Sequence, residues 1–264
     1  MWTDKLAFIG AGNIAEVLID RLTSIGSLTP SHIFATDISA TRRSRLRQRF
    51  EGLLTSEDNR EAPRFAKCVI IATPPHAVIP VVKEIHSLLS PDHVLLCLAT
   101  SVSLARLEEA AGAVVAIRAL INSPSMVGEG MNLVAFGHGT TPFIHQRVSA
   151  LLDLFGLQFE VSDEQMDFWC AICSSGPNYI FPVIDTLMKA AMARGISHEQ
   201  ALIGASQVVL GAARLVQQTG KDPQELERLT NLHTLREDEA HRLFTEAYEE
   251  ALARLKEATL PVGA

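Results

Sequence analysis

Aromatic residues make up only 6% of this 264-residue chain, and cysteine occurs four times. Thiols this few, at Cys68, Cys97, Cys170 and Cys173, cannot build a disulfide scaffold. Three of them lie in apolar runs and fit the reduced core of a cytoplasmic protein. Cys170-x-x-Cys173 has the spacing of a redox or metal pair. No second pair or histidine stands at zinc spacing, so core packing and no metal are expected. Basic residues are also outnumbered: 23 Lys and Arg against 30 Asp and Glu give a net charge of −7. A nucleic-acid surface needs a basic patch to neutralise phosphates, so none is expected. No apolar run approaches the ~20 residues of a membrane span. The N-terminal MWTDKLAFIG lacks a basic region and a small-residue cleavage site, so no signal peptide is expected.

What the chain does have, over its first ~160 residues, is an alternation of strand-like and helix-like patterns. KLAFI (5–9), HIFAT (32–36), CVIIA (68–72), HVLLCLA (93–99), AVVAIR (113–118) and NLVAF (132–136) are short apolar blocks. Continuous blocks of this kind suit strands covered on both faces. Helical patterns at 14–24, 41–50, 77–89 and 142–155 separate them. The alternation predicts an α/β fold with a doubly wound parallel sheet over residues 1–160.

Residues 161–264 read as all-helical. Ser175-Gly176-Pro177 opens a helix that Pro182 should bend, and Gly195 ends it. Ser197 to Gln200 reads as a capping box for the next helix, which runs to about Gln217. Asp222-Pro223 starts a short helix, and Thr234-x-x-Glu237 reads as a capping box opening a last one to about Lys256. The two longest central helices are apolar around most of their girth, and such helices must be buried. About 100 residues of helix offer too little to bury them in. An obligate homodimer or higher homo-oligomer is therefore expected.

The chemistry is announced by FIGAGNIAEVLIDRL (8–22). A strand precedes its glycines, a helix follows, and Asp37 stands at the end of the next strand. Gly10 permits the tight turn, Gly12 lets backbone approach a pyrophosphate, and Ala15 lets helix and strand close up. The amides opening the helix, at Asn13 and Ile14, would face the phosphates. Asp37 suits a ribose 2′-hydroxyl and repels a 2′-phosphate, so NAD is slightly favoured over NADP. Arg42 and Arg43 follow closely and offer the opposite choice. Ligands of such sheets lie beyond the carboxyl ends of the strands. That adds Ala72, Thr73 and Pro74 of ATPPH, and Asn122 of the loop ALINSPSMVGEG (119–130), to the cofactor-binding candidates.

With Asn122-Ser123-Pro124, Gly128-Glu129-Gly130 and Ser175-Gly176-Pro177-Asn178-Tyr179 added to the glycine turn, residues 5–252 are similar to pyrroline-5-carboxylate reductases. The resemblance implies a Rossmann domain (1–160) and a helical dimerisation and substrate domain (161–264). It also implies reduction of a cyclic imino acid, pyrroline-5-carboxylate to proline, by NAD or NADP in reduced form. Ser174, Ser175, Asn231 and Glu129 are then the substrate-binding candidates, and Thr230, Thr234 and His233 the catalytic ones. The chain departs from the family pattern before its last helix. There LTNLHTLREDEA (229–240) stands for a Thr-Ser-Pro-Gly-Gly-Thr-Thr loop, and Pro74-Pro75-His76 stands for Lys-Pro-Gln. The alternatives left open are an imine reductase of another substrate, and a dinucleotide-binding regulatory protein without turnover.

Overall fold

A computed structural model describes residues 4–99, 101–231 and 234–259, with the side chains of 256–259 left aside. The candidate His233 thus lies outside the described residues. The chain divides into two compact units. One comprises residues up to Ser174 together with the chain from Ala251, the other Ser175–Glu250.

The first unit is built on an eight-stranded sheet. In chain order its elements are β1 (Leu6–Ile9), α1 (Asn13–Ser24), β2 (Ile33–Thr36), α2 (Ala40–Arg49), β3 (Leu54–Ser56), α3 (Ala62–Phe65) and β4 (Cys68–Ile71). There follow α4 (Pro75–Ile85), β5 (Val94–Cys97), α5 (Leu104–Ala111), β6 (Val115–Leu120), β7 (Gly130–Phe136), α6 (Pro142–Leu152), β8 (Gly156–Glu160) and α7 (Asp163–Cys173). The strand order is β3-β2-β1-β4-β5-β6-β7-β8. β1 is central, with Leu6–Ile9 in parallel register against Ile33–Thr36 on one side and Cys68–Ile71 on the other.

Strand periodicity sends alternate residues to opposite faces. Leu6 and Phe8 of β1 join Leu18, Ile19 and Leu22 of α1 and Leu151 of α6 in one core. Ala7 and Ile9 join Val78, Val82 and Ile85 of α4 and Leu107 of α5 in the other. Each fully buried Leu or Ile contributes roughly 1.5–3 kcal/mol, so both helical layers are firmly held. That places helices on both faces, as the apolar blocks implied.

Three features differ from expectation. β3 and β8 are additional strands, and β7 runs antiparallel to β6. The reversal arises because residues 121–129 join β6 to β7 through a 3-10 turn (Ser123–Val127) rather than a crossover helix. The last helix does not begin from a cap at Thr234, since it starts at Glu237. Three successive acids, Glu237, Asp238 and Glu239, occupy its first turn, where the helix dipole favours them.

In the second unit, α8 (Gly176–Met192) contains Pro182 without ending there, and α9 (His198–Thr219) stops at Gly220 in the left-handed conformation. Ser197 accepts from the Gln200 amide as expected, but the Gln200 side chain meets the Ser197 hydroxyl rather than its backbone. α10 (Pro223–Glu227) and α11 (Glu237–Thr259) complete the helices. α8 buries none of its residues and α9 only Ala201 and Ala205. Phe181, Ile203 and Val208 are each more than half exposed. No helix among the described residues is long and apolar enough to cross a membrane.

All four cysteines are buried. Burial pushes the Cys68 thiol up to about 12 and that of Cys97 up to about 11. The thiolate is the reactive form, and it appears only as pH rises through these values. Iodoacetamide at pH 8 is expected to leave both unmodified in the native protein and to label both in denaturant, as read by peptide mass. Rapid native labelling of either would contradict their placement in the core.

Candidate functional site

Beyond the carboxyl end of β1 the chain turns sharply. Gly10 takes φ +104°, which favours glycine, and its amide donates to Thr36 O at 2.8 Å. A Cβ on Gly10 would lie 2.6 Å from Ala72 O, so the turn closes directly on the loop after β4. Gly12 precedes α1, and a Cβ there would meet nothing within 4 Å. The protein's own packing therefore does not require Gly12 to lack a side chain; the close approach of a ligand would. Ala15 is fully buried, which brings α1 down onto the sheet. The opening amides of a helix have no intrahelical partners, and here they belong to Asn13 and Ile14.

Asp37 locks this turn. Its carboxylate accepts from Ala11 N at 2.8 Å through Oδ2 and from Ser39 N at 2.8 Å through Oδ1. Arg42 Nη1 stands 3.5 Å from the same carboxylate, more than half exposed. Arg43, by contrast, is committed to Asp37 O and Glu57. A cavity of about 210 Å³ is lined by Gly10, Asp37, Arg42, Thr73, Pro74 and His76, among others. Within it Ile38 is 90% exposed, an apolar platform next to a carboxylate. Thr73 Oγ1 is buried without a hydrogen-bond partner among the described residues. Buried polar atoms are normally paired, so this hydroxyl awaits one. Unpartnered helix-opening amides, an orphaned hydroxyl, a carboxylate at the end of β2 and an apolar platform fit a dinucleotide.

Asn122 has a different setting. It is buried, its Nδ2 donates to Cys173 O at 2.9 Å, and its Oδ1 accepts from Met131 N at 3.1 Å. The carboxamide thus clamps the end of α7, just before Ser174, to the start of β7. α7 is fixed at its other end by Arg118 of β6. That guanidinium is buried, with Nη1 2.7 Å from Asp163 and Nη2 2.7 Å from Asp167. Sequence reading missed these pairs; a lone arginine within the apolar run AVVAIR was the available signal.

Ser174 is exposed at the end of α7. Ser175 precedes α8 but makes no side-chain capping bond, which leaves its hydroxyl for other use. Glu129 is exposed, and its amide donates to Pro124 O. Thr230 Oγ1 donates to Glu227 O at 2.9 Å and closes the turn after α10, with exposed Asn231 beyond it. Thr234 is exposed and outside any helix.

Residues 163–258 match the family model for pyrroline-5-carboxylate reductase dimerisation. Residues 5–100 match that for NADP oxidoreductase, coenzyme F420-dependent. A pyrroline-5-carboxylate reductase of Arabidopsis thaliana is 33% identical over 83% of this chain and 79% of its own. Among solved structures, one from Coxiella burnetii has a TM-score of 0.79 and 28% identity, covering 97% of this chain and 99% of its own. The Plasmodium falciparum pyrroline carboxylate reductase with NADP bound shares the fold, with a TM-score of 0.84 at 20% identity, over 97% of this chain and 98% of its own.

Proposed function

The chain belongs to the pyrroline-5-carboxylate reductase family, and from that premise we propose that it reduces pyrroline-5-carboxylate to proline with a nicotinamide dinucleotide. The observation that carries the reading is the glycine turn, closed on Ala72 and locked by Asp37. When bound, the reduced nicotinamide supplies the hydride. A protonated C=N carbon is already electrophilic, so the protein's tasks are to bind, to orient and to exclude water. The amides of Asn13 and Ile14 take the pyrophosphate, and Thr73 Oγ1 gains the partner it lacks. The Ser175 hydroxyl, unspent on capping, and Ser174 bind the substrate carboxylate. Thr230, Asn231 and Thr234 complete the substrate end, with Glu129 and His233 as further candidates. The open apolar residues of α8 and α9 pair two copies into a homodimer.

The assay is oxidation of NADH and NADPH by the purified chain with pyrroline-5-carboxylate. Turnover with proline as product is expected; no turnover with either cofactor would reject the reading.

NADH is the favoured cofactor in this reading, because the Asp37 carboxylate binds a ribose hydroxyl and repels a 2′-phosphate. Asp37→Asn removes the charge and keeps an acceptor oxygen for one of the two amides, Ala11 N and Ser39 N, that the carboxylate holds. It is expected to raise the NADPH-to-NADH ratio of kcat/KM by about tenfold, the effect of roughly 1.4 kcal/mol. An unchanged ratio would show that Asp37 does not read the ribose.

A further inference from the structure

A second cavity, of about 380 Å³, lies at the opposite end of the sheet. Cys68 and Val94, the first residues of β4 and β5, form part of its wall, whereas the glycine turn adjoins the far end of β4. Its volume lies within the ~300–1,000 Å³ of small-molecule sites. Ile144 and Val148 of α6 add apolar lining, and the buried Cys68 thiol stays neutral below about 12.

Charges stand around this apolar floor. Lys67 and Arg147 bring two cations and Asp92 one carboxylate. Arg147 is set in place before any ligand arrives. It pairs with Asp4 from outside the lining, and its guanidinium lies 5.2 Å from the Phe143 ring centroid. A preorganised guanidinium loses little freedom on binding. Lys67 donates to Ser90 Oγ at 3.2 Å, a weak tether that a carboxylate can replace with a charge-assisted bond.

We propose that this cavity binds a free α-amino acid with an apolar side chain, independently of the dinucleotide. The carboxylate meets Lys67 and Arg147, the ammonium meets Asp92, and the side chain rests on Val94 and Ile144. Two cations matched by Asp92 and Asp4 balance a zwitterion, and a lone carboxylate or amine would leave one charge unanswered.

The test is calorimetric titration of the full chain with L-leucine, 4-methylpentanoate and 3-methylbutylamine, the last two each lacking one charged group. Leucine is expected to bind saturably, both analogues at least tenfold more weakly. Lys67→Gln and Asp92→Asn change exposed residues that cannot unfold the core, and each should weaken leucine about tenfold. Saturating NADH or NADPH should leave the leucine titration unchanged. The proposal is overturned by an absence of saturable heat, by equal binding of either analogue, by indifference to both substitutions, or by displacement with a dinucleotide. If turnover of pyrroline-5-carboxylate fails while leucine binding persists, the reductase reading falls and this site stands.

Discussion

Replacing Arg118 with methionine is expected to destabilise the protein by about 2–4 kcal/mol, because it breaks a buried ion-pair cluster and strands its carboxylates. The guanidinium is 3% exposed, while Asp163 and Asp167 are 25% and 32% exposed. Water can therefore compensate part of the loss, which holds the estimate below the extreme for buried pairs. Asp163 also accepts from Leu104 N at 2.9 Å, so one carboxylate ties α5, β6 and α7 together. At ~2–4 °C per kcal/mol for a domain of this size, the melting temperature should fall by roughly 5–15 °C. Combining Arg118→Met with Asp163→Asn and Asp167→Asn removes the stranded charges and should recover much of that. Thermal unfolding of the single and triple variants measures both effects. A single variant melting within a degree or two of the parent would contradict the structural role assigned to the cluster.

The second large effect separates two glycines that sequence reading treats alike. Gly10→Ala puts a Cβ 2.6 Å from Ala72 O and 2.7 Å from Ala72 C, at φ +104°. Neither side can yield freely: Gly10 N is bonded to Thr36 O, and Ala72 N to Ile9 O, each at 2.8 Å. Left-handed strain plus a backbone clash should cost on the order of 2–4 kcal/mol and weaken dinucleotide binding with it. Gly12→Ala, at φ −78° with nothing within 4 Å, should leave stability within about 0.5 kcal/mol of the parent. Its methyl group would instead occupy the approach of the pyrophosphate, and dinucleotide affinity should fall at least about tenfold. Unfolding curves and fluorescence titrations of both variants decide the matter. If Gly12→Ala bound NADH and NADPH as the parent does, the phosphates would not lie at this turn.

The sequence made β1, the turn and α1 legible because their signals are local: an apolar block, two glycines, then helical spacing. The same locality explains the omissions. β3 has three residues and no buried one, and β8 is a half-polar edge, so neither produces a continuous apolar block. The antiparallel direction of β7 depends on a connection without helical period, which tells of a loop but not of where it returns. Arg118 finds its partners 45 and 49 residues downstream, and only the fold brings them together. Asn122 stood out as a loop residue fit to meet a ligand; its clamp on Cys173 needs knowledge of where α7 ends. The Arg42 and Arg43 pair was visible as charge, but only packing separates the committed Arg43 from the cavity-lining Arg42.

The central claim is hydride delivery from a dinucleotide seated at the glycine turn to an imine carbon. Incubation of the chain with pyrroline-5-carboxylate and NADH or NADPH carrying deuterium at the transferred C4 position, followed by mass analysis of the proline formed, tests it directly. One deuterium at the ring carbon that was doubly bonded to nitrogen is expected. Proline without deuterium, or intact cofactor with no proline, would contradict the claim.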